Sequence, residues 1–138
     1  MYTRTVRGQS LVESVVTLGV VILLVTGLVI GTTASLKYAQ SSRSRSTATQ
    51  YASEGLELAR KERDRGWTAF ARSGTFCVGT SGNIPTEPCD VIDNTYSRSL
   101  EYTYNDTTKS VIVVSKVSWI EGNETRIISL QTTFTNWK

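Results

Sequence analysis

Residues Gly8 to Ile30 read GQSLVESVVTLGVVILLVTGLVI, and the placement of charge within this stretch decides the architecture. Val15 to Ile30 carries no charge, and only Thr17, Gly19, Thr26 and Gly27 interrupt the aliphatic run. From Leu11 the run is twenty residues long, close to the ~20 a helix needs to cross a bilayer core. Upstream, Arg4 and Arg7 stand in a leader without acids. By the positive-inside rule the leader stays in the cytoplasm and the chain beyond Gly31 lies outside the cytoplasmic membrane.

Three readings of this segment compete. A secretory signal peptide has a shorter apolar region followed by a small-residue cleavage site, for which Thr32-Thr33-Ala34 is a poor match. A plain single-pass anchor accounts for the length but not for Glu13, because a lone carboxylate in an apolar helix costs roughly 2.5–3.5 kcal/mol near the membrane centre and less toward the interface. The third reading is proteolysis between Gly8 and Gln9. That cut creates an α-amino group four residues before Glu13, and in a bundle of such helices the carboxylate of one subunit neutralises the amine of the next.

Arg7-Gly8-Gln9-Ser10-Leu11-Val12-Glu13 resembles the class III leader of type IV prepilins: a short basic leader, Gly before the cut, and Glu at the fifth mature position. The resemblance implies cleavage by a prepilin peptidase, N-methylation of Gln9, assembly through Glu13, and packing of the apolar half-helices in a filament core. Its implied partners are other pilin or pseudopilin subunits, the peptidase, the inner-membrane assembly platform, and membrane lipid before assembly. Gln9 departs from the Phe or Met usual at the first mature position of the family.

Composition narrows the alternatives. A length of 138 residues accommodates about one domain. The net charge of +3 comes from dispersed basic residues and not from an aromatic-interleaved patch, so no nucleic-acid partner is expected. With no His and only two Cys, the chain lacks the ligands of a structural zinc site and any His-based general base. No metal, cofactor or catalytic residue is implied, and no enzyme is expected. Cys77 and Cys89 suit a disulfide closing a loop in an oxidising compartment, the alternative being two reduced thiols. For a loop this short the chain-entropy model gives about 3 kcal/mol of stabilisation.

Beyond Gly31 the chain turns polar without proline, and residues compatible with helix continue to about Arg65. Ala48, Tyr51, Ala52, Gly55, Leu56 and Ala59 share one face, with Leu58 beside it, and this face is expected to lie against a sheet. The Ser- and Thr-rich stretch from Lys37 to Thr49 also reads as a polar linker. Joined, the two halves make one helix of roughly 85 Å, with Gly19, Gly27 and Gly31 either as points of cheap bending or as ordinary membrane-helix residues. Glu57 with Lys61 and Arg60 with Asp64 stand at ion-pair spacing near its end.

Gly66-Trp67 ends the helix, with Trp67 and Phe70 anchoring the chain that follows. The Gly-, Pro- and Cys-containing stretch from Ser73 to Asn94 reads as loop. Ser99–Tyr104, Ser110–Ile120 and Thr125–Phe134 then read as a three-stranded antiparallel meander. On the middle strand Val111, Val113, Ser115, Val117 and Trp119 form one face; on the last, Ile128, Leu130, Thr132 and Phe134 alternate. Asn105-Asp106-Thr107 and Asn123-Glu124-Thr125 match the glycosylation pattern but read better as turns.

The expected organisation is a leader over residues 1–8, an apolar half-helix over 9–31, an amphipathic half-helix over 32–66, and a head over 67–138. A long helix followed by a disulfide-bearing loop and an antiparallel sheet is an α+β arrangement that resembles the pilin fold along the whole chain. Ala48 to Glu57 adds a resemblance to minor pilins and I-type pseudopilins of pilus and type II secretion systems. The competing reading is a single-pass, membrane-anchored binding domain outside the cytoplasm.

Overall fold

A computed structural model describes residues 7–79, 89 and 91–136, with side chains from Ser10 onward. Most of the leader, including Arg4, and both prolines of the Cys loop lie outside the described residues. Helix α1 runs Arg7–Arg65, through the Ser- and Thr-rich stretch and through Gly19, Gly27 and Gly31 without a break. The helical reading of residues 37–49 therefore holds over the linker reading. The last turn closes with the Gly66 amide donating to Glu62 C=O at 3.4 Å, and Arg63 and Arg65 sit where the helix dipole favours cations.

Two compact units divide the chain, residues 1–40 and residues 41–138. The first is helical over its described residues. Its aliphatic side chains are exposed all round, Leu11, Leu23 and Ile30 among them.

In the second unit the later turns of α1 lie on an antiparallel sheet. A single turn of helix, α2 (Trp67–Phe70), leads into β1 (Gly74–Cys77), β2 (Val91–Ile92), β3 (Tyr96–Asn105), β4 (Ser110–Glu121) and β5 (Glu124–Thr135). The order is β1-β3-β4-β5, with β2 also pairing with β3. The expected meander is β3 to β5. The two short strands correct the reading of Ser73–Asn94 as loop throughout: Gly74 to Cys77 pair with Tyr102 to Ser99, and Val91 and Ile92 with Ser97 and Tyr96. Residues too few to carry a period-2 signal are held as strands by the long β3 beside them.

Hairpin geometry follows turn chemistry. Gly122 (φ 65°) supplies the positive φ that a two-residue connection between β4 and β5 demands. Between β3 and β4, the Asn105 side-chain oxygen accepts from the amides of Thr107 and Thr108 at 2.9 and 3.2 Å. Both Asn motifs are thus turns.

The helix meets the sheet through small residues. Ala48, Ala52 and Ala59 are fully buried, as expected of that face, and so are Val111, Val113, Ser115 and Val117 on β4. Ala48 and Ala52 pack with Ile92, Tyr96, Val117 and Trp119; Ala59 packs with Phe70, Leu100, Tyr102, Val111, Val113 and Phe134. Both expected anchors come from α2: Phe70 lies edge-on to Tyr102 and Phe134 at centroid distances of 5.5 and 5.3 Å, and Trp67 packs partly buried against the same cluster, 5.8 Å from the Phe70 ring. The i,i+4 ion pairs expected near the helix end do not form. Arg60 turns back to Glu57 at 2.6 Å and Arg63 takes its neighbour Asp64 at 2.7 Å, since exposed pairs differ in energy by only a few tenths of a kcal/mol.

Candidate functional site

The apolar half of α1 disposes of its polar groups internally. Ser14 Oγ donates to Ser10 C=O, Thr17 to Glu13 C=O, Thr26 to Ile22 C=O, and Thr32 and Thr33 to Val29 C=O, all within 2.7–3.0 Å. Each hydroxyl one turn along a helix can satisfy itself on the preceding carbonyl, so none needs water or a partner. The segment is long and apolar enough to cross a membrane, with a mean hydropathy of 2.6, and none of that window is buried within the chain. It is a candidate membrane span.

Glu13 is the exception. It is exposed, and among the described residues its carboxylate has neither hydrogen bond nor ion pair. Being acceptor-only when ionised, it cannot satisfy itself on a helix carbonyl as the hydroxyls do. Gly8 and Gln9 lie in the first described turns of α1, which places them on the same helix as Glu13; the Gln9 side chain is outside what the structure describes.

Cys77 and Cys89 form a disulfide, Cα atoms 4.7 Å apart. Cys77 ends β1, and the chain just past it is held by a residue that the sequence did not single out. Arg98, on β3, is 3% exposed. Its guanidinium donates to Tyr51 C=O at 3.0 Å, to Gly79 C=O at 3.1 Å and to Val78 C=O at 3.4 Å, with the half-exposed Glu54 carboxylate at 3.5 Å. Burial pushes its pKa down from the ordinary arginine value and Glu54 opposes the shift. Backbone carbonyls thus replace much of the water that the cation loses. The period-2 pattern gives Arg98 the core face, but no sequence signal distinguishes a charge that will be satisfied there from one that will bend outward.

A second polar cluster escaped notice for the same reason. Tyr102 donates to Glu62 at 2.9 Å, and Glu62 also takes Arg72 at 2.5 Å. Arg72 lies over the ring of Phe76, 4.3 Å from its centroid. Burial, and then the Glu62 carboxylate, raise the Tyr102 pKa above its usual value. Tyr51, hydrogen-bonded to Asp93, is pushed up to about 12 chiefly by that bond. Both clusters tie helix to sheet.

Among the described residues no group of three or more His, Cys, Asp or Glu is placed to hold a metal ion. No protein family, curated protein or solved structure matches the chain.

Proposed function

We propose that the chain is a structural subunit, a minor pilin or pseudopilin, of a type IV pilus or type II secretion-like filament, cut by a prepilin peptidase between Gly8 and Gln9. Its role is assembly and not catalysis. Its partners are other pilin or pseudopilin subunits, met through the apolar half of α1 after release from the membrane. The observation that carries the reading is the isolation of Glu13: the hydroxyls of Ser14, Thr17, Thr26, Thr32 and Thr33 satisfy themselves, and this carboxylate has no partner among the described residues. A charge so placed in an apolar setting calls for an opposite charge from outside the chain. A neighbour's N-terminal amine at Gln9, four residues up the same helical segment, supplies it.

Mass spectrometry of the mature chain tests the processing step. The expected N-terminus is Gln9, with or without a methyl group. A chain beginning at Met1 would favour the membrane-anchored binding domain, and one beginning near Ser35 a cleaved signal peptide.

A further inference from the structure

Among the described residues of the second unit, the large hydrophobic side chains left exposed are Val91 (56%), Ile120 (72%) and Ile127 (63%). Single exposed aliphatics are ordinary on a protein surface, but these three share one corner. Val91 stands opposite Ser97, Ser97 opposite Ser118, and Ser118 opposite Ile127, a row that crosses four strands. Residues opposite one another project from the same face of a sheet. Ile120 lies two residues past Ser118 on that face, opposite Thr125. Tyr96 and Trp119 project from the other face, where they pack on Ala48 and Ala52 of α1. The corner is therefore turned away from the helix.

Its place along the sheet is a second observation. Ala48 of α1 packs with Tyr96 and Trp119, and Ala59 with Val111 and Phe134, so going back along the helix from Ala59 to Ser41 leads toward the β4–β5 hairpin. Ser44 C=O accepts from the Tyr96 hydroxyl at 3.4 Å, and Ser41 and Arg45 share a cleft with Glu121, Arg126 and Ile127. The corner thus flanks the point where α1 enters this unit. Ten residues lie between Ile30, the last of the apolar run, and Ser41. Whatever their path, they keep Ser41 within ~40 Å of the end of the candidate span. So short a tether sets an effective concentration on the order of millimolar, at which even a weak affinity for lipid is used.

The size and charge of the corner select its occupant. A standard protein interface takes ~20–30 residues a side, and three aliphatic side chains around Ser97 and Ser118 fall far short of one. Shallow insertion into a bilayer scales with the apolar area buried and needs no complementary shape. Glu121, Glu124, Arg126 and Arg45, the charged groups of the hairpin and its cleft, sum to zero, and Arg126 is held by the two glutamates at 3.4 and 2.9 Å. No excess charge is carried to the headgroups.

We propose that Val91, Ile120 and Ile127 form a lipid-facing corner by which this unit rests on the bilayer surface. The inference rests on the apolar half of α1 being a membrane span, and not on cleavage or filament assembly. The full chain with ¹³C-labelled Ile and Val methyl groups, placed in phosphatidylcholine nanodiscs that carry a lipid spin-labelled high on its acyl chain, tests it. Ile22 and Ile30 report the span, Ile120 and Ile127 the corner, and Ile112, at the far end of the same sheet face, is the internal control. The signals of Ile120 and Ile127 are expected to broaden along with those of Ile22 and Ile30, while Ile112 stays sharp. Threonine at exposed strand positions keeps β-propensity, so the double variant Ile120→Thr, Ile127→Thr should fold; Val91 should lose its broadening there and Ile30 keep its own. Replacing part of the phosphatidylcholine by phosphatidylglycerol should leave the pattern in place. Sharp Ile120 and Ile127 signals beside a broadened Ile30 overturn the proposal and leave the span standing; a sharp Ile30 overturns both. Equal broadening of Ile112, broadening that requires phosphatidylglycerol, or undiminished broadening of Val91 in the double variant also overturns it. Ile120 and Ile127 signals that shift with the number of copies per disc would give the corner to a second copy of the chain instead.

Discussion

Gly55 of α1 sits so close over Ser115 of β4 that a Cβ on the glycine would land on the serine hydroxyl, with Arg98 Cδ and Leu100 Cδ2 each 3.2 Å away. The absence of a side chain sets the distance between helix and sheet here. Gly55→Ala gains ~0.5–1 kcal/mol of helix propensity but drives its Cβ onto the buried Ser115 hydroxyl, an overpacking of about 1–3 kcal/mol. Net destabilisation is expected. Ser115 Oγ is buried and has no partner, so Ser115→Ala removes an unsatisfied group and is expected to be neutral or stabilising. Combined, the two substitutions relieve each other, because the hydroxyl is then gone and the contacts left, to Arg98 Cδ and Leu100 Cδ2 at 3.2 Å, ask for only slight shifts. Denaturant unfolding of the full chain in micelles, run as a double-mutant cycle, checks this. Additive effects would mean that the close approach is not what requires glycine.

Arg98 joins three pieces of chain: the Tyr51 turn of α1, its own strand β3, and Val78-Gly79 at the start of the disulfide-closed loop. Arg98→Met keeps most of the packed stem and leaves the Val78 and Gly79 carbonyls without their donor. With each orphaned acceptor costing about 1–3 kcal/mol, a loss of roughly 3 kcal/mol is expected. Arg98→Lys should fall between, since one ammonium cannot span the fork's separated acceptors. A midpoint for Arg98→Met within experimental error of the parent protein would show that burial of the stem, and not the guanidinium, holds the junction.

The elements with long, clean periodicity are legible in the sequence. Ala48, Ala52 and Ala59 announce the buried helix face at 3.6-residue spacing, and Val111 to Trp119 announce the sheet face at a spacing of two. What stayed hidden was whatever depends on a partner distant in sequence. The four residues of β1 and two of β2 are strands only because β3 lies beside them. Arg98 reads as an ordinary charged residue until Tyr51 and Gly79 are brought to it. Glu13 is the reverse case: the sequence alone marks it as anomalous, and folding gives it no partner among the described residues.

The Glu62–Tyr102 bond carries a pH signature. Tyr102 is raised in the folded state by burial and by Glu62, whereas an unfolded tyrosine ionises near pH 10. An acid whose folded pKa is raised keeps its full contribution below the unfolded value. Above about pH 10 the unfolded chain loses its proton first, so stability falls as pH rises toward the higher folded value. Tyr51, pushed up to about 12, acts in the same direction but from a more exposed position. Tyr102→Phe keeps the ring against Phe70 and Phe76 while removing the titration, and its stability should decline less steeply between about pH 10 and 12 than that of the parent. Unfolding midpoints measured across that range decide the matter. Parallel profiles would assign the alkaline loss elsewhere.

Glu13 separates processing from assembly. If a peptidase cuts between Gly8 and Gln9 as proposed, Glu13→Leu should leave cleavage largely intact and yield a chain beginning at Gln9. In lipid the variant helix is the better membrane segment, since it sheds a carboxylate costing roughly 2.5–3.5 kcal/mol near the bilayer centre and less toward the interface. Assembly should suffer nonetheless, because the amine of a neighbouring Gln9 would enter the apolar bundle without its counter-charge, and stranding one member of a buried pair costs about 3–5 kcal/mol. Glu13→Asp keeps the charge on a shorter side chain and should incorporate at an intermediate level. Quantifying each variant in sheared filaments and in membranes tests the order parent, Asp, Leu. Equal incorporation of Glu13→Leu would remove the pairing from the account and leave the apolar half of α1 as an anchor alone.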